Sequence, residues 1–295
     1  MDANHQSFQA ETILSKTLIK TLSLNTKKHL RPNCGILFSG GVDSSLVAVL
    51  STRYLPDVKL ITVGFEGSND VEWANTAAGL LGLKNNLHIK IIDLKEMESI
   101  IPIIIEILRT TDPMTISLGL PLYIACAEAK KNNIDLLLAG QGADELFGGY
   151  QRYREISLSG MDALRDAITA DVERLPERDI KRDNTIARAA GVELAAPYRE
   201  SEVIEFGLSI PPELKVREIN GELAGKYILR KAAETLIPGE IAWRNKKALQ
   251  YGSGVWGALG KLARTAGFRK QDKGYIRKYL YSVAEENKIE LDVTS

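Results

Sequence analysis

The chain has 295 residues, 44% of them hydrophobic and 26% charged, and 38 basic side chains balance 38 acidic ones. This describes a soluble globular protein with one large or two modest cores, and it excludes a nucleic-acid binder that works by bulk charge. No apolar run reaches membrane-spanning length, and residues 1–30 carry polar side chains throughout, so neither a membrane span nor a secretory signal is expected. Cys34 and Cys126 sit in apolar segments, as core thiols of a reducing compartment do. His5, His29 and His88 are scattered and do not resemble a metal site. A cytoplasmic location follows as the expectation.

Residues 7–30 read as a lead-in helix, with Phe8, Ile13, Leu14, Leu18, Ile19 and Leu22 on an apolar stripe. Strands then alternate with helices. Strand one is expected at about 34–39 and its helix at 43–54. Strand two spans 58–63, followed by a helix over 71–82 with Asp70 as N-cap. Strand three runs 87–92, with a helix over 94–108. A helix over 118–131 leads to strand four at 134–139. The alternation predicts an α/β fold, a parallel sheet with helices on both faces, whose ligands bind beyond the carboxyl ends of the strands. After residue 150 strand-like runs disappear. Helices are expected at 159–174, 177–190 and 201–208, then from Lys226, with two more over 256–290. No repeat is present, and the expected organisation is a single domain over 1–295. It comprises a lead-in (1–33), a nucleotide-binding core (34–150) and a mainly helical substrate or closing region (151–295).

Two glycine-rich turns stand out. Ile36-Leu37-Phe38-Ser39-Gly40-Gly41-Val42-Asp43-Ser44-Ser45 reads as buried strand, turn and first helical turn. Such a construction leaves free N–H groups and a positive helix end pointing at an anion. Ala139-Gly140-Gln141-Gly142-Ala143-Asp144-Glu145-Leu146-Phe147-Gly148-Gly149-Tyr150 follows the fourth strand and brings a second aspartate to the same rim. Two carboxylates facing one anion site call for a divalent cation between them, so Asp43 and Asp144 are expected to share Mg²⁺.

Together the turns resemble a known family. S-G-G-V-D-S-S is similar to the PP-loop of ATP pyrophosphatases, which cleave ATP to AMP and pyrophosphate. G-Q-G-A-D-E-L-F-G-G-Y resembles the second motif of one branch, the synthetase domain of glutamine-dependent asparagine synthetases, to which β-lactam synthetases also belong. Further segments match in order: Val63-Gly64-Phe65-Glu66-Gly67-Ser68; Pro121-Leu122-Tyr123; Val192-Glu193 with Pro197-Tyr198, against E-x-R-x-P-F; Lys226-Tyr227-Ile228-Leu229-Arg230; and Ala242-Trp243-Arg244-Asn245-Lys246, against A-W-R-x-K.

The resemblance implies an adenine nucleotide alpha hydrolase-like fold and a ligase that uses ATP and Mg²⁺. A carboxylate, in the family that of aspartate, attacks ATP to give an acyl adenylate, and ammonia then displaces AMP to form the amide. Ser39, Gly40, Gly41, Asp43, Ser44 and Ser45 would cradle pyrophosphate. Leu37, Val63, Gly64 and Gly140 would line the nucleotide. Lys226 would steady charge on the α-phosphate, and Gln141 and Glu193 would stand at the substrate end. Position 2, a cysteine in the family's glutaminase domain, is Asp2 here, so ammonia is expected free or from a separate glutaminase subunit. A homodimer is the other protein partner considered; membrane and nucleic-acid partners are not expected. Gln141 stands where the family is commonly acidic, and Ala195 where it has arginine. The competing readings are a related adenylating enzyme acting on another carboxylate or nucleophile, and an ATP-binding homologue without turnover. RNA modification ranks below them, since no basic RNA-binding region or redox cysteine pair is evident.

Overall fold

In the computed structural model, residues 3–244 and 249–292 are described, with the side chains of 3–8, 177–178 and 249 left aside. The chain starts with α1 (Ala3–His29), β1 (Cys34–Leu37), α2 (Val42–Thr52), β2 (Lys59–Phe65) and α3 (Asn69–Leu80). It continues through β3 (Leu87–Ile92), α4 (Leu94–Leu108), α5 (Pro113–Lys131), β4 (Leu136–Leu138), α6 (Ala143–Phe147), α7 (Gln151–Ser157), α8 (Met161–Arg174) and α9 (Lys181–Ala189). It closes with β5 (Glu193–Ala195), α10 (Ser201–Ser209), β6 (Val216–Ile219), β7 (Glu222–Gly225), α11 (Tyr227–Ala233), α12 (Gly239–Ala242), α13 (Leu249–Gly252), α14 (Val255–Thr265) and α15 (Tyr275–Glu286).

Five strands form one parallel sheet, ordered β3-β2-β1-β4-β5 and flanked by helices, as the alternation predicted. Between β2 and β3, Leu60 lies opposite Leu87 and Phe65 opposite Ile92. β1, β2 and β4 are almost wholly buried, which explains their mainly apolar sequences.

Several expectations need correction. Asp70 is not the N-cap of α3; Ser68 holds that position and Asp70 is a buried first-turn residue. α5 begins at Pro113, five residues before the expected start. Asp112 caps it by accepting from the Thr115 N–H at 2.9 Å, and Pro113 stands at the first helical position, where its missing N–H is no loss. Pro121 lies inside this helix. Strands do continue after residue 150. β5 joins the sheet, and β6 and β7 form an antiparallel hairpin with Ile219 opposite Glu222. Its two-residue turn, Asn220-Gly221, has φ of 52° and 84°, the mirror-image turn that an Asn-Gly pair favours.

The chain divides into two compact units. The first comprises Met1–Val58, Leu138–Arg178 and Ala195–Arg244. Within it α1 packs on α2, α10 and α11, with Leu18 and Leu22 fully buried. Glu11 on α1 accepts from Arg217 of β6 and from the Tyr227 hydroxyl of α11, both at 3.0 Å. The second unit comprises Lys59–Leu137, Asp179–Leu194 and Asn245–Ser295. There α4 packs on α5, α9 and α15, and Gly119 lets α5 approach Ile104 of α4 closely. No helix among the described residues is long and apolar enough to cross a membrane.

Candidate active site

In the first unit, β1 delivers the chain into a turn at Gly40, whose φ of +67° suits glycine. α2 starts at Val42 with Gly41 at its N-cap and no side chain capping it. The first-turn N–H groups therefore keep the capacity to bind an anion. Ser44 stabilises the turn from inside: its hydroxyl donates to the Gly41 carbonyl at 3.3 Å, and the Ser39 N–H donates to its Oγ at 3.3 Å. The Ser45 Oγ is buried without a hydrogen-bond partner.

The second glycine turn lies directly against the first. A Cβ on Gly140 would stand 2.8 Å from the Asp43 Cβ and 3.0 Å from the Ser44 nitrogen, so only glycine permits this approach. Gly142 then turns the chain with φ of +93° into α6, which carries Asp144 in its first turn. Tyr198 backs both turns. Its ring meets Phe147 edge-on, and its hydroxyl points to the Asp43 carbonyl at 3.4 Å.

Lys226 arrives from far along the chain. It is the N-cap of α11 in the left-handed conformation, φ +59°, which is uncommon for a residue with a side chain. Its N–H donates to the Phe147 carbonyl at 3.1 Å. Arg230, one turn on, donates to the carbonyls of Gly225, Ala242 and Arg244 at 2.9, 2.6 and 3.1 Å. So held, the Lys226 ammonium bridges the two aspartates, 2.7 Å from Asp43 Oδ2 and 2.6 Å from Asp144 Oδ1. The Lys226 and Asp43 side chains are 7% and 10% exposed, while Asp144 is 41% exposed and forms the open side of the cluster. Gly149 makes room for it: a Cβ there would overlap both Asp144 Oδ1 and Lys226 Cε.

The electrostatics follow from this geometry. Burial alone would lower the Lys226 ammonium's pKa, but the Asp144 and Asp43 carboxylates outweigh it and hold the group above the ordinary lysine range. Burial, with Asp43 and Asp144 adding to it, pushes the Tyr198 phenol well up, so it stays a neutral donor. Burial also raises the Glu145 carboxyl, although the Tyr150 hydroxyl donates to it at 2.5 Å.

The residues fit a magnesium ion. Asp43 Oδ1 is a buried carboxylate oxygen without a hydrogen-bond partner, and its neighbour Oδ2 shares the Lys226 ammonium with Asp144 Oδ1. Among the described residues no group of three or more His, Cys, Asp or Glu side chains forms a metal cage. One or two carboxylates completed by substrate phosphates are what Mg²⁺ usually takes.

The family model for asparagine synthase matches residues 21–162 and 155–282. The chain belongs to the asparagine synthase family. It is 35% identical over 302 residues to a putative glutamine-hydrolysing asparagine synthetase 1 of Methanocaldococcus jannaschii, covering 92% of this chain and 55% of that protein. A probable glutamine-hydrolysing asparagine synthetase of Schizosaccharomyces pombe is 30% identical over 81% of this chain and 47% of its own length. Asparagine synthetase B of Escherichia coli is 29% identical over 81% and 44%. The chain thus spans about half the length of the curated relatives it matches.

Of the residues expected from the family motifs, Leu37, Ser39, Gly40, Gly41, Asp43, Ser44, Ser45, Gly140, Gln141, Asp144 and Lys226 all lie in the first unit. Val63, Gly64 and Glu193 belong to the second. There Val63 is buried and Gly64 faces Ser68, Val71 and the Ser253 carbonyl, while Glu193 is an exposed residue opening β5. Asn245 and Lys246, which complete the A-W-R-x-K-like segment, lie outside the described residues. Sequence reasoning gave no role to Arg230, Tyr198 or Gly149. For Arg230 a signal existed, because it ends the same Lys226-Tyr227-Ile228-Leu229-Arg230 segment that matched the family.

Proposed function

We propose that this chain performs the ATP-dependent, amide-forming reaction of an asparagine synthetase's synthetase part, with release of AMP and pyrophosphate. The observation that supports it is the Asp43–Lys226–Asp144 cluster beside an uncapped helix start. A nucleotide-binding scaffold has no use for a lysine held in a left-handed conformation against two carboxylates.

In this reading the α2 N–H groups and the Ser39, Ser44 and Ser45 side chains hold the β- and γ-phosphates of ATP. Leu37 and Gly140 line the adenosine. Asp43 and Asp144 would hold Mg²⁺, which neutralises the polyphosphate charge. The substrate carboxylate oxygen attacks the α-phosphorus as its bond to the bridging oxygen breaks and pyrophosphate leaves. Lys226 offers a fixed positive charge to the α-phosphate oxygens as charge builds there, worth several kcal/mol of barrier. Ammonia then attacks the acyl carbon, AMP departs, and the extra proton passes to solvent or a nearby base. Exclusion of water protects the adenylate.

Aspartate is the first acid to test. Gln141 and Ala195 favour a second reading, adenylation of a different acid. An amide cannot accept a proton at neutral pH as a carboxylate can, and alanine removes a cation that would face an acidic substrate. ATP–pyrophosphate exchange across a panel of carboxylic acids, with product analysis with and without ammonium, tests both. Asparagine formed from aspartate, ATP and ammonium supports the first reading. Exchange with another acid only replaces it, and exchange with none leaves a binding homologue.

A further inference from the structure

Asp43 and Asp144, the pair assigned to Mg²⁺ above, already share one cation, and it belongs to the chain. The Lys226 ammonium makes a charge-assisted bond to each. Its backbone is fixed by the bond to Phe147 and by the Arg230 anchor. Its four-carbon stem passes Gly149, and rotation about the bonds of that stem is what can carry the ammonium off the carboxylates while the backbone stays in place. Two carboxylates around one ammonium leave a net negative charge and an unused buried oxygen, Asp43 Oδ1. A divalent ion on the same oxygens would stand within a few ångströms of the ammonium, and like charges that close repel. The half-exposed Asp144 gives the ion its way in.

We infer that the Lys226 ammonium and a divalent cation compete for the Asp43–Asp144 pair, so that metal binding releases Lys226 toward the incoming triphosphate. Lys226 is then a tethered stand-in: it keeps the two carboxylates together beforehand and is released once the metal arrives, ready for the α-phosphate of the nucleotide. This rests on the metal assignment made under the proposed function.

Manganese binding to the full chain, followed by electron paramagnetic resonance without nucleotide, provides the test. Lys226→Met keeps the length of the side chain and removes its charge. It is expected to bind Mn²⁺ at least ~10-fold more tightly than the wild type, the lost competitor corresponding to one decade in affinity. Equal or weaker binding overturns the competition. Should the variant fail to fold, wild-type Lys226 is labelled with an acetylating reagent and read by mass spectrometry. Addition of Mg²⁺ alone should raise its labelling severalfold while that of buried Lys215 stays constant; unchanged or reduced Lys226 labelling overturns the inference. Wild-type pyrophosphate exchange run alongside keeps the two claims apart. Exchange with unaltered Mn²⁺ affinity sinks the competition alone, whereas tighter Mn²⁺ binding without exchange for any acid sinks the ligase reading alone.

Discussion

Arg230 donates from Nε to the carbonyl of Gly225 at 2.9 Å, closing a loop around the residue between β7 and α11, which is Lys226. The guanidinium is buried, and burial lowers its pKa below the ordinary arginine range. Its other bonds, to Ala242 and Arg244, tie α12 to the same point. Removing it orphans three carbonyls at once. Arg230→Ala is expected to lose about 3 kcal/mol of stability or more, at ~1–3 kcal/mol for each buried unsatisfied group. Arg230→Lys should recover part of this, because an ammonium lacks the planar fork. Urea unfolding of the three proteins measures both.

Gly149→Ala tests the geometry of the cluster separately from its chemistry. The added methyl would overlap Asp144 Oδ1 and Lys226 Cε, pushing apart groups the variant still possesses. The protein should fold, by circular dichroism, while pyrophosphate exchange falls on the order of 100-fold, the usual loss when reacting groups shift by about 1 Å.

Lys215 gives a pH dependence. It is 3% exposed and lies beside Gly148. Burial, and secondarily Arg165, lowers its pKa to about 8. Between that value and the ordinary lysine range the unfolded chain holds a proton that the folded chain has released, so stability contributed by this group rises with pH across the window. Below pH 8 the buried charge is a full penalty. Lys215→Met should therefore be more stable than the wild type at pH 7, on the order of 2–3 kcal/mol, and the gain should shrink toward pH 10. Denaturant midpoints at the two pH values check this.

Tyr198→Phe removes a hydroxyl and leaves the ring on Phe147. The bond to the Asp43 carbonyl is long at 3.4 Å, so the loss in stability should be small, about 0.5 kcal/mol. A twofold to threefold rise in KM for MgATP is the expected kinetic effect, because the carbonyl belongs to Asp43, the residue proposed to hold the metal. Initial-rate kinetics at fixed acid concentration measure it.

Much of this was legible locally. β3 and α4 occupy their expected ranges, since short-range hydrophobic patterning decides both. The early start of α5 is written in Asp112-Pro113, an N-cap followed by proline, and the β6–β7 hairpin in Asn220-Gly221, both of them local signals. β5 is three residues long, too short to show any period. The two glycine turns announced an uncapped helix start and a pair of carboxylates, because backbone conformation and helix polarity are properties of a few consecutive residues. What the sequence could not specify is which cation those carboxylates hold. Lys226 stands 183 positions from Asp43, in a helix start that by itself resembles any exposed lysine. Only the packing of α11 and β7 against the second glycine turn, anchored by Arg230 and admitted by Gly149, brings its ammonium between Asp43 and Asp144. Charge at a distance acts through the fold, so its placement is decided by tertiary structure alone.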